Sequence, residues 1–246
     1  MTSTSPTTVS PSRLLAIAGV AAPLVIAIAL GVVAVNQASI VLPVSLSLPI
    51  GSPGVFASVD LAAASSLVLL VSVVGRAAAL LLQSRGASPS RLRAVRALEL
   101  SQVAGITVFL VAQLNGIAEA GTLVLIYAVA AASVGVLWVH GRGAAELRPS
   151  AWPYSLGASL AIVPWGIVAL YQVVGIVVGA PPAPIVRVLT IVILVLAALT
   201  WMIERRWHLS AMTAARTDAL HTAVTIANGL ALLVLVVGLA RPSALF

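Results

Sequence analysis

The stretch "RALELSQVAGITVFLVAQLNGI", residues 96–117, decides the fold. After Arg96 and Glu99 it carries no further charge, and at about 1.5 Å per residue a helix of this length crosses about 30 Å of hydrocarbon. A carboxylate that enters such a helix loses most of its hydration, so Glu99 needs a cation or water supplied by another segment. The remaining sequence is therefore a search for that partner.

The surroundings are hydrocarbon-like throughout. Of 246 residues, 61% are hydrophobic and 8% are charged, so nearly the whole chain belongs in a lipid bilayer. Apolar runs between breakers predict seven spans near 14–36, 57–82, 96–115, 121–140, 152–177, 184–203 and 218–240. The expected fold is an all-α membrane protein, one seven-helix transmembrane domain over residues 1–246, with a polar tail at 1–12 and an external loop at 37–56. That tail, "MTSTSPTTVSPS", lacks the basic start of a secretory signal, so the first apolar segment is expected to stay.

All 13 basic residues are arginine, and there is neither lysine nor cysteine. Absence of cysteine excludes disulfides and thiolate chemistry. The connections "QSRGASPSRLRAVR", "HGRGAAELRPS" and "ERRWHLSAMTAAR" are arginine-rich, whereas "NGIAEAG" and "VVGAPPAP" contain none. By the positive-inside rule the N-terminus is cytoplasmic, the C-terminus is extracellular and the protein is a multi-pass component of the cell membrane. The basic excess reports topology and no nucleic-acid partner. Arginine in place of lysine throughout points to a GC-rich bacterial genome.

Between the first two spans, "SIVLPVSLSLPIGSPG" alternates apolar and polar residues over Val44 to Leu48 and is punctuated by Pro43, Pro49 and Pro53. This predicts a short β-ribbon in the first external loop, or an extended loop packed on its own helix ends. An uncovered strand edge invites pairing with a second chain.

Other ionisable groups in the spans are Asp60, Arg76, Asp218 and His221. Arg76 and Glu99 both lie roughly 10 Å inside the arginine-rich ends of successive helices. Opposite charges at matching depth should pair, because an unpaired charge near mid-membrane costs about 2.5–3.5 kcal/mol or more. The alternative has Arg76 snorkelling to the headgroups while water or Ser101 satisfies Glu99. His140, His208 and His221 have no metal-ligand spacing, so no metal is expected. No nucleophile elbow or helical His-Glu motif is present, so the chain is not expected to be an enzyme. Trp165, Tyr171 and Trp201 are candidates to line a ligand cavity, although aromatics in helical bundles more often serve packing or interfacial anchoring.

These residues resemble the heliorhodopsins, a seven-helix microbial rhodopsin family. The third span and "PYSLGASLAIVPWGIVALY", residues 153–171, carry the similarity best, and the long first external loop adds to it. The resemblance implies that Glu99 stands at the position of the Schiff-base counterion, with Ser101 two residues later. It further implies a homodimer joined through the external ribbon. In the family a lysine of the seventh helix tethers retinal; in the matching stretch here, "HTAVTIANGLALL", residues 221–233, that position is Asn228. An amide nitrogen is delocalised into its carbonyl and does not condense with an aldehyde. No covalent cofactor is therefore expected, and non-covalent retinal, carotenoid or lipid stays open. The same alignment sets Arg76 where the family has a histidine near the chromophore, so a fixed guanidinium would replace the lost Schiff-base cation.

The expected function is a non-enzymatic sensory, ligand-binding or interaction role with a membrane or cytoplasmic partner still to be identified. The alternative is a transporter or channel using Glu99, Arg76 and Asp60. Against it, the outer halves of the third, fifth and seventh spans read as nearly all aliphatic.

Overall fold

The computed structural model describes residues 11–37, 39–46, 54–143, 152–208 and 212–240. Among these residues the chain forms seven α-helices and two strands: α1 Pro11–Asn36, β1 Val41–Leu46, β2 Gly54–Asp60, α2 Leu61–Ser84, α3 Pro89–Leu114, α4 Ala120–Gly143, α5 Trp152–Val177, α6 Pro184–His208 and α7 Ala214–Ala240. Six of the helices are long and apolar enough to cross a membrane, and α4 adds a shorter apolar stretch, Ala120–Val136. The chain is a multi-pass membrane bundle.

Helix boundaries differ from the hydropathy reading where capping chemistry decides them. Hydropathy starts the second span at residue 57, yet α2 begins at Leu61. Asp60 is its N-cap: the carboxylate accepts from the Ala63 amide at 2.7 Å and from the Ser39 hydroxyl. Residues before Asp60 are instead held in β2, so the connection expected at 37–56 reaches residue 60. α3 begins at Pro89, seven residues before the expected start, because proline suits the first helical turn and the arginines that follow are good helix formers. Hydropathy locates hydrocarbon contact, and a helix can run beyond it. The same cause lets α6 continue to His208 and α7 begin at Ala214.

The ribbon is antiparallel, with Val41 opposite Asp60 and Leu46 opposite Gly54, and its register shifts between Val44 and Ser45. The expected tip, including Pro49 and Gly51, lies outside the described residues. β1 also rests on its own bundle: the Ser45 amide donates to the Ala118 carbonyl at 2.7 Å, and the Gln113 amide reaches the Pro43 carbonyl at 3.4 Å. Both expectations for this segment thus meet in one element, a ribbon seated on the turn between α3 and α4. In that turn Gly116 takes φ +90°, a conformation that disfavours side chains. Glu119 caps α4 through the amides of Thr122 at 2.6 Å and Gly121 at 2.9 Å. These two bonds, Thr122 first, hold the Glu119 carboxyl below the usual glutamate range.

Packing runs in chain order from α1 to α5, and α7 returns against α1, α2 and α6, while α5 meets α6 only over a short stretch. Leu30, Leu61, Leu110, Ile117, Leu123, Leu232 and Leu235 are fully buried. All belong to the ribbon-side ends of their helices or to the adjoining turn, so the aliphatic core sits there. Of the buried polar side chains, Arg76, Glu99, His221, Thr222 and Thr225 occupy the arginine-rich half, whereas the uncharged Gln113, Asn115 and Thr190 lie toward the ribbon. This division places the candidate site.

Candidate functional site

Glu99 is 3% exposed on α3. Arg96, one turn earlier on the same helix, donates from Nη1 to Glu99 Oε2 at 2.8 Å. Arg76 of α2 approaches the other oxygen, with Nε 3.5 Å from Oε1. That separation is an ion pair and too long for a hydrogen bond. The two terminal nitrogens of Arg76 point instead at α7, donating to the Thr222 hydroxyl at 2.6 Å and the Thr225 hydroxyl at 2.9 Å. A bidentate grip of Arg76 on Glu99 is therefore not formed. The guanidinium links three helices, and Glu99 accepts its direct bond from Arg96. Arg96 Nη2 lies 3.7 Å from Asp218, whose side chain is half exposed.

Two glycines make room for this cluster. A Cβ on Gly75 would lie 2.6 Å from Glu99 Cγ and 2.7 Å from its Cβ, near the root of a side chain that has little freedom to move. A Cβ on Gly19 would lie 2.9 Å from Arg76 Nη1, the far end of a flexible side chain. Gly75→Ala is thus expected to force α2 from α3 and to destabilise by about 1–3 kcal/mol, whereas Gly19→Ala is expected to cost clearly less. Unfolding of both variants in mixed micelles checks the ranking.

Beyond the charges, toward the bundle centre, lies a cavity of about 100 Å³ bounded by α3, α4, α5, α6 and α7. Trp165 and Trp201 form part of its wall, with Val103, Val108, Ile193 and Val224. Its polar groups are Thr107, Ser133, Thr200, His221, Thr225 and Asn228. Most of these are engaged elsewhere: Ser133 donates to the Ala130 carbonyl, Thr200 to the Leu196 carbonyl and Thr225 to the His221 carbonyl. His221 Nε2 is 2.7 Å from Glu204 Oε1. The Thr107 hydroxyl, on a residue 5% exposed, is buried with no hydrogen-bond partner. A buried orphan of this kind calls for a water or a ligand group to satisfy it. Gly157 lets α5 close the wall: a Cβ there would fall 2.8 Å from the Trp201 ring and 2.9 Å from the Ser133 carbonyl.

Of the sequence candidates, the structure brings Glu99 and Arg76 together and places Asn228, Trp165 and Trp201 on the cavity. Tyr171 is a correction: it is 41% exposed and does not line the cavity, because it lies beyond Trp165 on an outward face of α5. Ser101 donates to the Ala131 carbonyl of α4 at 2.9 Å and does not serve Glu99. Asp60 caps a helix at the ribbon end, remote in sequence and depth from the charge cluster.

Sequence reasoning missed Arg96 as the direct partner of Glu99, although their i,i+3 spacing is the ordinary signal of a helical ion pair. It also missed the Glu204 and His221 contact between α6 and α7, for which the sequence holds no local signal. On the ribbon side, Asn115 donates to Thr190 at 3.0 Å and accepts from Gln172 at 2.8 Å, tying α3 to α5 and α6. Among the described residues no group of three or more metal-binding side chains gathers. Comparison with known proteins finds no matching family model and no curated relative.

Proposed function

We propose that this chain is a heliorhodopsin-like seven-helix membrane protein, N-terminus cytoplasmic, that binds a slender apolar molecule in its central cavity without a covalent bond and catalyses no reaction. The observation that carries the reading is the cavity itself, apolar on most sides and holding one unpartnered hydroxyl, Thr107 of α3, with the Asn228 amide of α7 also among its lining. Thr107 can donate to or accept from a neutral oxygen, and Asn228 can do both at once. Neither can condense with an aldehyde to an imine. A cavity of about 100 Å³ is somewhat smaller than one of about 150 Å³ that admits benzene, so the end of a polyene or acyl chain fits and a bulky ring would require repacking. The charges do not continue as a path: toward the ribbon the buried polar side chains are the neutral Gln113, Asn115 and Thr190, set among Leu61, Leu110, Leu123, Leu232 and Leu235.

All-trans-retinal serves as the probe. Titrated into the purified chain, it is expected to quench the fluorescence of Trp165 and Trp201 saturably at one equivalent, to keep the near-ultraviolet absorption of a free aldehyde, and to wash out after borohydride treatment. Ala104→Phe, which fills the cavity, is expected to remove the saturable phase. Quenching that rises linearly with added retinal in both proteins would count against a site.

A further inference from the structure

A second recess opens on the outer, lipid-facing side of α6 and α7, toward their arginine-rich ends. It encloses about 400 Å³ and is lined by Leu199, Met202, Met212, Leu220, Ala223 and Ala227, among others, with Arg206 and Arg216 on its wall. The apolar part is open: Leu199 is 38% exposed, Met202 54% and Leu220 36%. Its floor consists of Leu196 and Val224, which also face the central cavity from the other side.

The charge around the recess is one-signed. No acidic residue lines it. The two carboxylates nearest in sequence point elsewhere, Glu204 to His221 and Asp218 toward Arg96. Neither Arg206 nor Arg216 pairs with a carboxylate among the described residues. Two exposed guanidiniums therefore stand at the headgroup end of an apolar channel that runs along two helices into the hydrocarbon.

We propose that this groove is a binding site for an anionic phospholipid, with the phosphate held between Arg206 and Arg216 and one acyl chain laid along α6 and α7. Guanidinium forks match phosphate oxygens, and the aliphatic wall matches the chain. A net negative headgroup is favoured over a zwitterionic one because an added choline would bring a third cation to the same place. Basic residues at the membrane surface attract anionic lipid by an amount that makes two arginines worth roughly thirtyfold in affinity. The site is separate from the central cavity, so its test is independent of the retinal titration.

The test uses the full chain in nanodiscs of equimolar phosphatidylglycerol and phosphatidylcholine, released into detergent and weighed by native mass spectrometry. Wild type is expected to retain one phosphatidylglycerol in preference to phosphatidylcholine. Arg206→Gln with Arg216→Gln is expected to reduce that retention roughly thirtyfold. Arg85→Gln with Arg91→Gln, which removes two exposed arginines away from the groove, is expected to leave it unchanged. Ala223→Trp keeps both charges and fills the groove, and is expected to lower retention as well. Circular dichroism verifies the helical content of every variant before weighing. Equal loss in the Arg85 and Arg91 variant would overturn the site in favour of general surface charge. Loss on adding millimolar inorganic phosphate, with Ala223→Trp behaving as wild type, would also overturn it, leaving a free-anion contact with no lipid chain.

Discussion

Glu99→Gln is expected to destabilise the bundle by about 3–5 kcal/mol, the cost of removing one partner from a buried ion pair. The reason is local. Arg76 is 5% exposed, and its two hydroxyl partners, Thr222 and Thr225, offer dipoles but no opposing charge. Without the carboxylate, Arg76 and Arg96 face each other across a neutral amide. Arg96→Gln is expected to cost less, because Arg96 is 20% exposed and Glu99 keeps Arg76. Reversible unfolding in mixed micelles, with both variants compared at the same detergent fraction, measures the difference.

Asn228→Lys is expected to let the chain bind retinal covalently. The amide at this position lines the cavity, so an amine on a longer side chain would enter the same space. A deprotonated amine attacks the aldehyde carbon of retinal, and loss of water leaves the imine. Borohydride should then fix the adduct, with a mass increase of one reduced retinyl group on α7, where wild type shows none. The expected change is all-or-none, from no adduct to one per chain. Failure of the variant to react, with its helical content intact, would indicate that retinal does not reach the α7 side of the cavity.

Much of this arrangement is legible because charge is so scarce in the sequence. With six acidic residues in 246, an acid inside an apolar run stands out, and matching its depth to Arg76 requires only the helical rise. The ribbon is legible from alternation and proline, even though its contact with Ala118 is not. The distribution of work around Glu99 cannot be read. Which of two arginines takes the short bond depends on helix rotation, and that is set by close packing at Gly75 and Gly19. Hydropathy does not register such packing. Tyr171 shows the same limit: an aromatic in a span faces lipid or cavity according to a rotation of the helix. Glu204 reads as loop because hydropathy ends the sixth span at residue 203, one position too early to include it. The groove is likewise invisible, since nothing in the sequence tells that Ala223 and Ala227 line an open recess between α6 and α7.

The claim beneath these expectations is that Glu99 is neutralised by the chain's own arginines and needs no cation from a ligand. A double-mutant cycle across Arg76→Met and Glu99→Gln, measured as unfolding free energies in mixed micelles, tests it most directly. A coupling of about 1–3 kcal/mol is expected, with the double variant more stable than the sum of the two single losses implies. Additivity within about 0.5 kcal/mol would mean that Arg76 and Glu99 do not sense each other, and would contradict the account.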